Sequence, residues 1–307
     1  MEKSKKTGHI ALLSANIFFG LNTPISRSLM PEILSPFTLT FFRIAGGAIL
    51  FWLLSLVVKK EHVPKKDILL LFFASIFALS LNQLPFFVGL SMTSPIDASI
   101  VVTMLPIITM ILAAIIIKEP ITIKKAIGVL IGASGALILV LTSHNVNVGE
   151  SNLVGNLIVL GAVVSFALYL TLFKGLIMRY SAITLMKWMF LFGTIMIYPF
   201  CYQPINTTDF SLLSSDIYLR ILYMVVIATF FAYMLIPVGQ KVLRPTTFSM
   251  YNYVQPIVAS MLAVWMGIDQ FGIEKGLSGV LVFVGVYIVN TSKSKVQLDA
   301  ERQEKNK

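Results

Sequence analysis

The chain has 307 residues, of which 57% are hydrophobic and only 12% are charged, and its mean hydropathy is +0.86. Soluble globular chains carry about 25% charged residues, so this composition excludes an ordinary soluble domain. The single Cys201 excludes an intrachain disulfide framework. Apolar runs of roughly 20 residues recur, and a helix of that length crosses the hydrocarbon core of a bilayer. The sequence therefore predicts an all-α, polytopic membrane protein.

Ten transmembrane helices are predicted from these apolar runs and from the prolines and charged loops that separate them. Their approximate ranges are 9–30, 37–58, 68–90, 95–117, 125–142, 153–176, 183–202, 217–240, 245–268 and 273–291. The first run follows three lysines, as in a signal peptide, but it shows no clear small-residue cleavage site. We therefore expect it to remain as a helix of the mature protein.

The chain contains an internal repeat. Residues 89–140 align without a gap with residues 239–290, a shift of 150 positions. Pro106 then matches Pro256, and Gly135 matches Gly285. The pattern predicts a first five-helix repeat at 1–142, a linker at 143–152, a second repeat at 153–292 and a charged tail at 293–307.

An odd number of helices in each half requires the second repeat to enter the membrane from the opposite side, so the repeats are inverted. With the N terminus in the cytoplasm, only four of the 24 Lys and Arg residues fall elsewhere than on the inner side: Arg27, Arg43, Arg220 and Lys275. The positive-inside rule thus predicts that both termini are cytoplasmic. The net charge of +10 follows mainly from this topology, and a nucleic-acid partner is not expected.

Inverted repeats in a membrane chain are typical of secondary transporters, whose substrate site lies near the midplane between the repeats. Two related arrangements, open to opposite sides, then permit alternating access. The sequence favours a transporter or facilitator of the cell (inner) membrane.

Motifs in chain order carry a family resemblance. They are Phe19-Gly20-Leu21-Asn22, Arg43, Ala98, Pro106, the elbow Lys118-Glu119-Pro120-Ile121-Thr122, and Gly128, Gly132 and Gly135, repeated more loosely by Pro256, Asp269 and Gly285. Over about residues 8–291 the chain resembles an EamA-type member of the drug/metabolite transporter superfamily. The resemblance implies a central cavity lined by helices 1, 3, 4, 6, 8 and 9, and export of small metabolites, often amino acids. Phe19 stands where the family often has Trp, and Asp269 where Glu is usual.

Polar side chains within the predicted helices are the candidates for substrate contact, because buried polar groups in lipid face a cavity or a partner. Amides and phenols bind a zwitterion without carrying charge themselves. The candidates are Asn22, Asn82, Gln83, Thr103, Tyr169, Tyr233, Asn252, Tyr253 and Gln255, with Asn16 as a further amide of helix 1. The alternative is that each only bonds a neighbouring helix. Tyr251 and Trp265 are expected at the lipid or its interface, and Gly128, Gly132 and Gly135 at a helix contact.

Arg43 and Asp97 are the charged residues with two open roles. Arg43 lies within helix 2, where a charge requires partners. It either anchors a substrate carboxylate or ties to helix-end carbonyls or Asp97, and the structural tie is favoured because buried charges usually pair within the protein. Asp97 is most simply a first-turn acid of helix 4, although a role in proton coupling stays open.

Several enzyme classes are excluded by missing motifs. The chain has no phosphate-binding loop and no H-E-x-x-H, and no Ser, His and acid lie at one depth. We therefore expect no enzyme activity, no cofactor and no metal. The expected partners are a small-molecule substrate and the lipid bilayer, with the protein as a monomer or weak homodimer. The alternative is a membrane-embedded enzyme or lipid-handling protein that uses the same polar cluster.

Overall fold

The computed structural model describes residues 2–30, 32–93, 95–141, 152–265, 272–293, 297 and 303–304. Within these ranges the protein is helical and contains no strand. Asp269, nearly all of the predicted linker and most of the predicted tail lie outside the described residues.

Ten helical segments follow one another, and we number them α1 to α10. They are α1 (Glu2–Leu29), α2 (Pro36–Val57), α3 (Lys65–Met92), α4 (Pro95–Val102 continued by Leu105–Ile116), α5 (Ile123–Leu141), α6 (Leu153–Leu172), α7 (Ala182–Thr207), α8 (Ser215–Val242), α9 (Pro245–Met250 and Val254–Trp265, joined by a 3₁₀ turn) and α10 (Ile273–Asn290). A short helix, Lys174–Arg179, follows α6.

Eight of these segments are long and apolar enough, within the described residues, to cross a membrane by the simple test of length and composition. The other two are α1, which begins in a run of charged residues, and α9, which is interrupted by the 3₁₀ turn Tyr251–Tyr253. The ten predicted helices are thus all present.

Local sequence explains where several helices begin. Ser35 caps α2 by accepting a hydrogen bond from the backbone N–H of Thr38, and Pro36 occupies the first helical position, where a missing N–H costs nothing. Asn152 caps α6 and Ser181 caps α7 in the same way. These polar residues fix the ends of apolar segments whose interiors carry no boundary signal.

The contact between α5 and α10 shows how the two repeats are related. A Cβ atom added to Gly135 would lie 2.7 Å from the carbonyl oxygen of Ser278, and one added to Gly128 would lie 3.0 Å from that of Gly285. Ser278 and Gly285 are the repeat counterparts of Gly128 and Gly135. The contact is therefore reciprocal and antiparallel, as a two-fold axis requires. The helix 5 glycines do permit close packing, as predicted.

A second pair of contacts obeys the same symmetry. Gly89 in α3 packs against Gly155 in α6, while its counterpart in α8, Gly239, packs against Leu12 in α1. The pair α3–α6 in one half of the molecule thus corresponds to α8–α1 in the other. In each of these pairs, a helix of one repeat packs against a helix of the other repeat.

Two hydrogen bonds locate the pseudo-two-fold axis. Gln83 Nε2 donates to Tyr233 Oη at 2.9 Å, and Tyr253 Oη donates to the carbonyl oxygen of Thr103 at 3.0 Å; the residues of each pair are 150 positions apart. A residue that touches its own counterpart lies close to the axis. The axis therefore passes between α3 and α8 and between α4 and α9, which confirms the inverted repeats.

The structure adds one feature that the sequence did not predict. A π-helical turn, Ile76–Ser80, interrupts α3, and a second, Val226–Phe231, interrupts α8 at the same position of the repeat. Such turns shift the register of the following side chains and are frequent at functional sites. Here each is followed by the polar residues that meet on the axis.

Candidate substrate cavity

A cavity of about 150 Å³ lies at the pseudo-two-fold axis. It is lined by residues of all six expected helices, α1, α3, α4, α6, α8 and α9. Arg43 of α2 lines it as well. Six of the nine candidate residues are among its lining residues: Asn22, Asn82, Gln83, Tyr233, Asn252 and Gln255. These are residues from α1, α3, α8 and α9 that the chain separates by more than 200 positions.

The other three candidates lie outside this lining. Thr103 and Tyr253 are buried against each other on the axis, through the hydrogen bond from the phenol to the backbone. Tyr169 is buried on α6 and donates to Gln240 Oε1 at 3.2 Å. All three serve contacts between helices in this conformation.

One side of the cavity is a chain of amides. Gln255 Nε2 donates to Asn16 Oδ1 at 2.8 Å and to Asn252 Oδ1 at 3.0 Å. Asn16 in turn donates to the Leu12 carbonyl oxygen. Asn16, named from the sequence as a further amide of helix 1, is thus among the lining residues of the cavity.

Two amide oxygens in the lining have no hydrogen-bond partner within the described residues. They are Asn22 Oδ1 and Gln83 Oε1, and both are buried. The nitrogen of Asn22 donates to Ser26, and that of Gln83 to Tyr233. An unsatisfied buried acceptor costs about 1–3 kcal/mol, so these oxygens are available to a donor that enters the cavity.

Arg43 is 4% exposed and lines the cavity. Its Nε donates to Thr229 Oγ1 at 3.1 Å, and its guanidinium lies 5.1 Å from the centre of the Phe87 ring. Among the described residues it makes no ion pair. A guanidinium has five N–H donors, so most of this charge and donor capacity is not used by the protein itself. Asp97, half-buried in the first turn of α4, is not a lining residue.

The remaining wall is apolar. Aromatic rings line it from α1, α3, α6 and α9: Phe19, Phe86, Phe87, Phe166 and Phe248. Phe19 packs edge-on against Tyr233, with ring centres 5.7 Å apart. The cavity therefore combines a polar centre with a hydrophobic surround, the usual composition of a small-molecule site.

Comparison with known proteins decides the family. Residues 6–141 and residues 153–291 each match the EamA-like transporter family. The chain belongs to this family. An uncharacterized transporter of Archaeoglobus fulgidus is 27% identical over 283 residues, which cover 91% of this chain and 97% of the relative. The uncharacterized transporter YetK of Bacillus subtilis is 22% identical, over 99% of this chain and 92% of its own.

A solved crystal structure shows the same fold. It superposes with a TM-score of 0.76 and covers 99% of both chains at 16% sequence identity. Both halves of the chain match one family, which agrees with the duplication seen in the packing. The protein is a multi-pass membrane transporter of the EamA-like family.

The cavity of this EamA-family transporter is closed on one side. We call the side where α1 begins and α10 ends the terminal face, and the other side the opposite face. On the terminal side, Lys174 Nζ donates to the carbonyl oxygens of Gln240 and Leu243, next to the Tyr169–Gln240 bond. Tyr169, Gln240 and Leu243 are all buried, and they separate the cavity from the terminal face.

Tyr251 also belongs to this closure. It is 8% exposed and shares a 2.5 Å hydrogen bond with His9 Nδ1, so the expectation of a lipid-facing tyrosine was wrong. It lies in the 3₁₀ turn of α9, which packs against α1. Trp265, by contrast, is 81% exposed, in line with contact to lipid.

The cavity extends toward the opposite face. Thr23 lines it and is exposed, and Ser26 follows one turn further along α1. Buried residues therefore separate the central site of this EamA-family transporter from the terminal face, whereas the site extends toward the opposite face.

Proposed function

We propose that this protein is a secondary transporter or facilitator that exports small, amino-acid-like solutes by alternating access around the central cavity. It would act in the cell (inner) membrane with both termini in the cytoplasm, so that the terminal face is cytoplasmic. The cavity would then extend toward the outside.

The observation that carries the proposal is the charge of Arg43 in the cavity wall. The guanidinium has no acidic partner among the described residues, and a carboxylate bound beside it gains charge-assisted hydrogen bonds. The hydroxyl hydrogen of Tyr233 is a further donor, because Gln83 already donates to that oxygen. We therefore assign Arg43 as the anchor for a substrate carboxylate.

The orphan oxygens complete a zwitterion site. Asn22 Oδ1 and Gln83 Oε1 accept hydrogen bonds and carry partial negative charge, which suits an ammonium group. The same cavity thus holds a cation for a carboxylate and acceptors for an amine. The phenylalanine wall favours a solute whose side chain is apolar.

The pseudo-two-fold axis supports alternating access. Equivalent helix pairs, α3–α6 and α8–α1, flank the cavity on its two sides. A transporter with this symmetry has two related arrangements of the same packed elements. The arrangement described here is the one with the terminal side closed.

Counterflow in liposomes tests the proposed function. Purified protein reconstituted with unlabelled amino acids is expected to accumulate labelled amino acid from outside. Asn82→Ala, Gln83→Ala and Asn252→Ala are each expected to lower the rate without loss of folded protein. Wild-type rates in all three variants would place the substrate site elsewhere.

Arg43→Gln tests the anchor, with Arg220→Gln as the matched control. Arg220 is a half-exposed arginine of α8 that bonds Ser28 and Asp216 at the opposite face. We expect Arg43→Gln to lower carboxylate-substrate affinity by about 10- to 100-fold, since a hydrogen-bonded charge contact contributes about 1.5–3 kcal/mol. Unchanged affinity in folded Arg43→Gln would show that Arg43 does not bind the substrate carboxylate and has only a structural role.

A further inference from the structure

A second pocket lies at the terminal face, away from the central cavity. It has a volume of about 330 Å³ and is formed by the elbow between α4 and α5, the start of the short helix after α6, and the turn between α8 and α9. Four of its lining residues are cationic: Lys118, Lys174, Lys241 and Arg244. It shares no lining residue with the central cavity.

The pocket carries excess positive charge. Its one acidic lining residue is Glu119, whose Oε1 is bonded to the buried Lys125 Nζ at 2.8 Å and lies 3.9 Å from Arg244. Burial lowers the pKa of Lys174 to about 8, although the nearby Glu119 carboxylate acts in the opposite direction. One carboxylate thus faces several cations, and an anion placed here would be attracted by all of them.

Lys118 is held in this pocket at a conformational cost. It adopts φ 53°, the left-handed position after a helix that normally belongs to glycine. The backbone N–H groups of Ile117 and Glu119 both bond the Ala113 carbonyl oxygen and fix that geometry. A lysine at a glycine position directs its charge to the pocket rim, and an observed backbone outlier of this kind is a pointer to function.

Lipid-facing side chains lead to the pocket. Ile111, Ile115 and Ile117 are exposed, and the first two lie one turn apart on one face of α4. Ile117 also lines the pocket. A molecule with an anionic head among the lysines and an acyl chain along α4 would meet complementary surface at both ends.

We propose that this pocket binds the phosphate of an anionic membrane lipid. Basic pockets between membrane helices recognise lipid headgroups by such charge, and the isoleucines of α4 distinguish a lipid from free phosphate. The bound phosphate joins the elbow of the first repeat to the α8–α9 turn of the second. Because Leu243 belongs both to the pocket and to the layer that closes the terminal side, the lipid holds that side closed.

Thermal melting of the detergent-solubilised full chain tests the lipid site. Phosphatidylglycerol, phosphatidylcholine and inorganic phosphate are titrated separately. We expect only phosphatidylglycerol to raise the melting temperature at low concentration. No shift with phosphatidylglycerol, or an equal shift with phosphatidylcholine or inorganic phosphate, would overturn the proposal.

A double variant tests the residues, with a matched pair of lysines as the control. In Lys118→Gly/Lys241→Gln the glycine suits the left-handed backbone, so the fold is retained. Two lysines near an anionic headgroup together account for about a thirtyfold change in affinity, and we expect the half-saturating phosphatidylglycerol concentration to rise by that factor. Lys59→Gln/Lys60→Gln, in the exposed loop between α2 and α3, should leave it unchanged. Equal behaviour of the two double variants would refute the assignment.

The effect on transport rests on the proposed function, whereas the binding does not. Phosphatidylglycerol in the liposomes is expected to slow counterflow by the wild type more than by Lys118→Gly/Lys241→Gln. Lipid-dependent melting without any amino-acid transport would retain the lipid site and reject the proposed function. Equal slowing of both proteins would reject the closing role of the lipid.

Discussion

The two faces of the protein are held together by different chemistry. At the terminal face, charged groups make the contacts between distant elements: Lys125 and Arg244 lie beside Glu119, and Lys174 binds the backbone carbonyls of Gln240 and Leu243. At the opposite face, the described contacts between distant elements are mostly neutral, such as Thr93 to Asn156 at 2.7 Å. The exposed pair Arg220–Asp216 lies within one helix there.

Two equivalent positions of the repeats show this difference between the faces. Thr93 follows the last residue of α3, and its repeat counterpart Leu243 follows the last residue of α8. Thr93 meets the amide of Asn156, whereas the Leu243 carbonyl receives the ammonium of Lys174. Duplication supplied the same backbone twice, and divergence placed charge on one side. The two closures of a transporter with inverted repeats therefore need not be equally stable, and the one seen here is the charged one.

Removing the buried acid should have the largest effect. Glu119→Gln leaves Lys125 without its ionic partner in a site where it is 1% exposed. Breaking a buried ion pair costs about 3–5 kcal/mol, so the free energy of unfolding should fall by about 3 kcal/mol. The measurement is chemical denaturation in detergent micelles.

Asp216→Asn is the control for that loss. Its partner Arg220 is on the opposite face, and the two side chains are 40% and 64% exposed; an ion pair between exposed side chains contributes about 0.2–1 kcal/mol. Similar losses in the two variants would show that the faces do not differ in the way their contacts suggest.

Opening of the terminal side should follow from a smaller change. Tyr169→Phe removes the hydrogen bond to Gln240, whose side-chain nitrogen already has no partner in the described structure. A bond of about 1 kcal/mol shifts the population by roughly fivefold. The shift can be measured in an Ile236→Cys variant that also carries Cys201→Ser. The rate at which an impermeant maleimide labels position 236, a lining residue of the cavity, reports access to the cavity.

The reagent is applied to the terminal face in one vesicle preparation and to the opposite face in another. Labelling from the terminal face should rise about fivefold in Tyr169→Phe, while labelling from the opposite face falls or stays constant. A rise from both faces would indicate loosening of the fold and not a shift between two states.

The architecture could be predicted from the sequence because the repeat is marked by glycines and prolines, which are easily recognised. Glycines and prolines mark close contacts and breaks, and their 150-residue periodicity predicted the inverted halves. Gln83 and Tyr233 are counterparts in the repeat, but only the structure shows that they meet on the axis.

The site was less predictable because apolar helices carry no signal for their depth or rotation. The π turns in α3 and α8 and the 3₁₀ turn in α9 alter which side chains face inward, and none follows from hydropathy. Tyr169, a candidate for substrate contact, bonds Gln240 in this conformation and is not a lining residue, and Tyr251, expected at the lipid or its interface, is buried against His9. Arg43 was found easily, but its surplus of donors is visible only once its neighbours are known.

Thr93→Val is the smallest change that distinguishes the two faces. The valine keeps the shape but loses the donor to Asn156 Oδ1 and the acceptor for the Asn152 N–H. Asn156 is half-buried, so water replaces part of the loss, and unfolding stability should fall by no more than about 1 kcal/mol. Because the cavity already extends toward the opposite face, labelling of the Ile236 cysteine from that face should not change. Tyr169→Phe removes a bond of similar strength and yet should alter labelling fivefold. If Thr93→Val alters it equally, the neutral contact is itself a gate, and the resting conformation is set by both faces together.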